Sequence, residues 1–214
     1  STAANDRTAK LWSAKSGECF QTLKGHSAGV IFAKFSPDNE LLVTGAGDCT
    51  ARVWSVESGI CVRTFDANSA CIRSTVFSLD GLILVTVASD NIVKLWAADS
   101  DVCRHALVGH HGDICCVAFS ADGGLVATAS QDRTAKVWST KSGECLHTLL
   151  GHRDVVRSAA FSPDGALVLT ASSDRTAKVW SAESGVCIRT LEGHRHAVFS
   201  AAFSPPLCAG AVLN

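Results

Sequence analysis

The chain has 214 residues, of which 47% are hydrophobic and 18% charged, a composition that excludes disordered, collagen-like and strongly charged classes. Nineteen Lys+Arg stand against 20 Asp+Glu for a formal charge of -1, so no global field draws nucleic acid or an anionic membrane. At this length roughly 70% of the unfolded surface can be buried, and no apolar run reaches the ~18 residues of a membrane span. The longest runs, such as residues 82–87, are strand-sized. The chain opens at Ser1 and holds no Met, which reads as a processed or truncated product whose targeting signal is lost.

Along the chain, Trp12, Trp54, Trp96, Trp138 and Trp180 recur every 42 residues, and they are all five tryptophans. Six residues ahead of them stand Asp6, Asp48, Asp90, Asp132 and Asp174. Gly25-His26, Gly109-His110, Gly151-His152 and Gly193-His194 keep the same frame, as do the Phe-Ser pairs at Phe35, Phe77, Phe119, Phe161 and Phe203. A fixed period of this size marks a repeat architecture. Between the markers lie short apolar and β-branched runs separated by turn chemistry, so each unit is all-β.

The unit after His152 predicts four antiparallel strands: residues 155–162, 167–171, 176–180 and 187–191. Pro163-Asp164-Gly165 supplies a preset φ followed by a residue that tolerates positive φ, hence a tight turn. A lone four-stranded sheet with two apolar faces cannot cover both, so copies must stack face to face, and radial stacking buries them all.

Cys19, Cys61, Cys103, Cys145 and Cys187 are also 42 residues apart. Equivalent positions are poor bonding partners, so these cysteines read as small buried hydrophobes in a reducing, cytoplasmic compartment. Cys115 and Cys116 point to opposite faces of one strand, and without a Cys-x-x-Cys pair no zinc knuckle forms. Neither a metal nor a cofactor is expected.

The Gly-His, Phe-Ser-Pro-Asp and Asp-x-x-x-x-x-Trp order at this spacing resembles the WD-repeat family of β-propellers over essentially the whole chain, residues 1–214 being read as one propeller domain. The residues after the tryptophans, Ser13, Ser55, Ala97, Ser139 and Ser181, depart from the signature acid. The resemblance implies buried structural networks of His26, Thr44, Asp48 and Trp54; of His110, Thr128, Asp132 and Trp138; and of His152, Thr170, Asp174 and Trp180. Near-identical copies around a ring suit a scaffold, whereas catalysis needs one constellation in one cleft. In the second unit Asn68 takes the His position beside Thr86, Asp90 and Trp96, so a weaker network and a mobile preceding loop are expected. Lys10, Lys94, Lys136, Lys178 and Arg52 sit two before each Trp, with stems over apolar surface and heads in solvent.

The length exceeds five periods by four residues, so both ends fall at one phase of the repeat. The expectation is five blades, one of them shared: an inner strand near residues 197–204 and part of the second from the C-terminal segment, the outer two from the N-terminal one, with His194 meeting Thr2, Asp6 and Trp12. A longer array, of which this chain is a fragment, and a partner that completes the ring are the alternatives.

Function on this reading is protein or peptide binding on the face around a central opening. Five residues after each His or Asn68 come Ile31, Arg73, Cys115, Arg157 and Phe199; just before each Asp come Asn5, Gly47, Ser89, Gln131 and Ser173. The family resemblance puts both positions on that face, and the mixture implies an amphipathic peptide. Arg73 and Arg157 resemble phosphate-binding positions of some ubiquitin-ligase substrate receptors, the alternative being two solvated arginines. A channel hydrolase would need paired carboxylates, and Asp113 and Asp154 are the acids on offer. A nucleic-acid role lacks a basic stripe, Arg195 and His196 being too small a cluster.

Overall fold

The computed structural model describes residues 1–66, 70–100 and 102–204. Every regular element among them is a β-strand, and they lie in two compact units, Ser1–Ile114 with Trp138–Cys145, and Cys115–Val137 with Leu146–Asn214.

The first unit holds a three-stranded sheet of β1 (Thr2–Ala3), β2 (Thr8–Trp12) and β3 (Cys19–Lys24). It also holds two four-stranded sheets, β4 (Val30–Phe35), β5 (Leu41–Ala46), β6 (Thr50–Ser55) and β7 (Cys61–Asp66), then β8 (Ile72–Phe77), β9 (Ile83–Ala88), β10 (Val93–Ala97) and β11 (Cys103–Leu107). Strands pair in sequence order and antiparallel, as short turns require. Apolar faces meet face to face: Leu11, Leu23, Val30, Leu42 and Trp54 form one core, and Val43, Val53, Phe65, Ile72, Leu84 and Trp96 the next.

Most of the second unit is β12 (Ile114–Phe119), β13 (Leu125–Ser130), β14 (Ala135–Ser139) and β15 (Cys145–Leu149), followed by β16 (Val156–Phe161), β17 (Leu167–Ser172), β18 (Ala177–Ser181) and β19 (Cys187–Leu191), each set one four-stranded sheet in chain order. Its core joins Ala127, Val137, Leu149, Val156, Val168 and Trp180. Strand limits in the last sheet fall within one residue of the sequence reading. The turn after β16 also follows it: Gly165 takes φ 73°, while Ser162 Oγ accepts from Leu167 N at 2.9 Å and donates to Asp164.

Two kinds of β-bulge recur. Between Val30↔Ala46 and Phe32↔Gly45 the residue Ile31 is extra, as is Arg73 between Ile72↔Ala88 and Ser74↔Val87, and Arg157 between Val156↔Ser172 and Ser158↔Ala171. On the outer strands the register slips opposite Trp12, Trp54, Trp96 and Trp180, leaving Phe20, Val62, Arg104 and Ile188 out of the ladder. A bulge re-aims the extra side chain away from the ladder.

The structure corrects two expectations. Cys19, Cys103, Cys145 and Cys187 are exposed and Cys61 is half-buried, because their strands are sheet edges and, beside Cys19, Cys61, Cys103 and Cys187, a bulge breaks the inward alternation. Residues 197–204 form no strand, although Val198 N donates to Ser172 O at 2.9 Å; the rest of the expected closing segment, residues 205–214, lies outside the described residues. Trp12 is 42% exposed against 2% for Trp54 and Trp180, and Leu191 is 47% exposed where its counterparts Leu23 and Leu149 are buried.

Candidate functional site

Each His-Thr-Asp-Trp set is assembled from two neighbouring strands, the turn between them and the loop ahead of the inner strand. His26 comes from the loop ahead of β4, Thr44 from β5, Asp48 from the β5–β6 turn and Trp54 from β6. The carboxylate of Asp48 cannot donate, so Nδ1–H of His26 donates to it at 2.9 Å and Nε2 accepts from Thr44 Oγ1 at 2.8 Å. Trp54 Nε1 then donates to Thr44 Oγ1 at 2.8 Å. In the last sheet the chain is the same: His152 to Asp174 at 2.8 Å, Thr170 to His152 at 2.8 Å and Trp180 to Thr170 at 2.9 Å.

The turn that presents each Asp is shaped by a residue in the left-handed region, Cys49 at φ 65° and Arg175 at φ 73°. This brings Thr50 Oγ1 and Thr176 Oγ1 to within 2.7 Å of the carboxylates. Burial alone would raise both carboxyls. For Asp48 the hydrogen bonds from Thr50, Ser27 N and His26 outweigh it and hold the pKa down to about 2. For Asp174 the bonds from Arg153 N, Thr176 and His152 hold it well below the carboxylate range. Burial pushes His26 and His152 down despite the adjacent carboxylates, so both imidazoles are neutral.

His110 is buried with its ring 6.2 Å from that of Trp138; Asp132 accepts from Thr134 N at 2.9 Å, and Thr128 is buried. In the second repeat Trp96 donates to Thr86 at 2.9 Å and Asp90 accepts from Ile92 N at 3.0 Å, while Asn68 lies outside the described residues. Near the N-terminus Trp12 donates to Thr2 at 2.9 Å and Asp6 accepts from Thr8 at 2.7 Å. His194 is exposed.

The positions five after each His coincide with the inner-strand bulges at Ile31, Arg73 and Arg157, which is why those side chains leave the ladder. In the first unit Ile31 is 56% exposed and Arg73 Nη1 donates to Asp113 at 2.6 Å. Cys71 N donates to Ser89 Oγ at 3.1 Å, Asn5 approaches Gly29, and Gly47 N donates to Gly29 O at 3.0 Å. In the second unit Arg157 Nε donates to Ser173 Oγ at 2.8 Å and its guanidinium lies 5.4 Å from the ring of Phe199, itself 68% exposed. Cys115 and Gln131 are exposed. Neither arginine is a free solvated cation, and the partners Asp113 and Ser173 escaped sequence reasoning because they come from other turns.

Asp113 is committed to Arg73, and Asp154 Oδ1 accepts from its own neighbour, Val155 N, at 2.7 Å. Lys10, Lys136 and Lys178 donate to Thr22, Thr148 and Thr190 at 3.2, 2.8 and 2.8 Å instead of reaching freely into solvent. Lys94 Nζ lies 5.7 Å from the Trp96 ring, and Arg52 Nε is buried and unbonded. The 42-residue recurrence of those threonines was the signal that could have found the pairs. Among the described residues no helix is long and apolar enough to cross a membrane, and no group of three His, Cys, Asp or Glu is placed to hold a metal.

A sequence model described as WD domain, G-beta repeat matches the chain at residues 17–55, 59–97, 101–139, 143–181 and 185–206. No curated protein matches it.

Proposed function

The chain belongs to the WD-repeat family, and from that premise we propose that it is a non-enzymatic scaffold that docks proteins or peptides on Ile31, Arg73, Cys115, Arg157 and Phe199, together with Gln131. Domains of this family mediate protein–protein interaction. The observation that carries the reading is that large apolar side chains stand out of the core, Ile31 56% exposed on the β4 bulge and Phe199 68% exposed, the latter against the Arg157 guanidinium. Exposed aromatic and aliphatic anchors flanked by Arg are the composition of an interface centre. The His-Thr-Asp-Trp sets are then internal ties and not catalytic groups, since each hydroxyl and imidazole is consumed within its own sheet.

The same proposal includes a single propeller domain whose first and last segments share a blade. It rests on the common repeat phase and on the three-stranded sheet β1-β2-β3. It places the protein in a reducing, cytoplasmic setting, with no cofactor, nucleic acid or membrane partner.

Affinity capture with the wild type and with Ile31→Glu and Phe199→Glu variants tests the docking surface. Bound proteins are expected to drop out in the variants while circular dichroism stays unchanged; an unaltered set of partners refutes it. The phosphopeptide reading is favoured only by the two guanidinium groups, and Arg73 must leave Asp113 to serve it. A phosphopeptide library bound no better than its dephosphorylated form, or bound equally after Arg73→Ala with Arg157→Ala, eliminates it. Deleting residues 1–12 is expected to cause a cooperative loss of stability, and unchanged melting would end the shared blade.

A further inference from the structure

Two of the cysteines outside the 42-residue series, Cys49 and Cys71, lie side by side. Cys49 occupies the left-handed corner of the β5–β6 turn, where the other repeats carry Arg7, Asn91, Arg133 and Arg175. Cys71 immediately precedes β8, where the other repeats carry Gly29, Asp113, Val155 and Ala197. They belong to different sheets and are 22 positions apart, but their Sγ atoms are 3.9 Å from each other. The serial cysteines behave differently: Cys19, Cys61, Cys103 and Cys187 each turn the thiol to the carbonyl two residues on.

We propose that Cys49 and Cys71 form a redox-modification site, a dithiol that a peroxide converts to an intramolecular disulfide tying the β5–β6 turn to the start of β8. Closing the sulfurs from 3.9 Å to the bonded ~2.05 Å asks for side-chain rotation. The backbones are already anchored. Cys49 N donates to Ala46 O at 3.2 Å, Cys71 N donates to Ser89 Oγ at 3.1 Å, and Ser89 N donates to Cys71 O at 2.9 Å. Cys71 is exposed and Cys49 half-buried, so the first meets the oxidant.

Cys71 as thiolate attacks one peroxide oxygen; the O–O bond breaks, hydroxide leaves and takes up a proton, and Cys71 becomes a sulfenic acid. Cys49 then attacks the Cys71 sulfur, the S–O bond breaks, and the hydroxyl departs as water with the Cys49 proton. Two thiols have lost two electrons and two protons, and one peroxide has become two waters. Desolvation, the neighbouring thiol and the carboxylates of Asp48 and Asp66 raise the Cys49 thiol, which makes it a poor first nucleophile toward peroxide. The bridge would sit next to Asp48 of the first buried set and two residues before Arg73, so it would stiffen one part of the candidate docking surface.

The test uses the full chain, reduced, then exposed to a small excess of hydrogen peroxide, alkylated and digested. The expected product is a peptide pair joined through Cys49 and Cys71 and separated by reductant. In Cys49→Ser, dimedone should label Cys71; in Cys71→Ser, Cys49 should stay alkylatable. Circular dichroism confirms that both variants fold. Independent alkylation of both thiols after peroxide, bridges scattered over the serial cysteines, or direct oxidation of Cys71 to sulfinic acid without a bridge each overturns the proposal.

Discussion

Thr44 and Thr75 are both buried hydroxyls with opposite standing. Thr44 Oγ1 joins His26 and Trp54 at 2.8 Å each; Thr75 Oγ1 has no hydrogen-bond partner, and the equivalent positions carry Ala33, Val117 and Ala159. Removing a buried hydroxyl that ties two partners leaves those partners unsatisfied, whereas removing one that has no partner relieves a desolvation cost nothing offsets. Thr44→Val is therefore expected to destabilise by about 2–4 kcal/mol, whereas Thr75→Val should be neutral or stabilise by up to about 1 kcal/mol. Urea denaturation of the two variants checks the contrast, and equal losses would refute it. The place of Thr44 in the first set was legible through the resemblance to the WD-repeat family. The idle hydroxyl of Thr75 was not, since only its packed surroundings make it buried.

Among elements, the hairpins between third and fourth strands carry a left-handed glycine at Gly17, Gly59, Gly143 and Gly185, and two of these separate backbone conformation from crowding. Gly17 and Gly143 both take φ 74°, but a Cβ at Gly17 meets nothing within 4 Å, while one at Gly143 meets His105 Cγ at 2.6 Å. His105 is held there by its Nε2–H bond to Lys141 O at 3.0 Å, and His147 repeats the arrangement with Glu183 O at 2.8 Å. Both Ala variants bear the left-handed strain of about 1 kcal/mol; Gly143→Ala should add a further ~1–2 kcal/mol from the displaced imidazole. Melting curves for the pair measure the difference, and coincident curves would sink the account. The strands themselves could be read from alternation and turn residues. The bulges could not, because an extra residue changes the facing of side chains without changing composition, and so the serial cysteines were expected inside and are found outside.

For the molecule as a whole, the buried sets make acid the destabilising direction. His26 and His152 have pKa values below the ordinary 6.5, so the folded chain holds neutral imidazoles and the unfolded chain takes up protons first. Their contribution is complete above that value and falls away as pH drops below it. Asp48 is held down to about 2 from 3.8, so its contribution is present above about 4 and is lost as pH falls toward 2. The urea midpoint should therefore decline continuously from pH 7 to pH 3, with Asp48→Asn flattening the lower part; a midpoint that rises on acidification would refute the neutral-imidazole assignment.

The amino-acid order alone determined the period, the all-β class and the strand and turn positions, because these follow from local alternation, turn chemistry and recurrence at a fixed phase, while the composition of the buried sets came from the resemblance to the WD-repeat family. Tertiary structure decided which residue is extruded at each bulge, that Arg73 and Arg157 are paired with Asp113, Ser173 and Phe199, and that Cys49 and Cys71 are neighbours. Those outcomes depend on distances between residues in different turns and sheets, which strand pairing and face-to-face packing set and which no local pattern encodes.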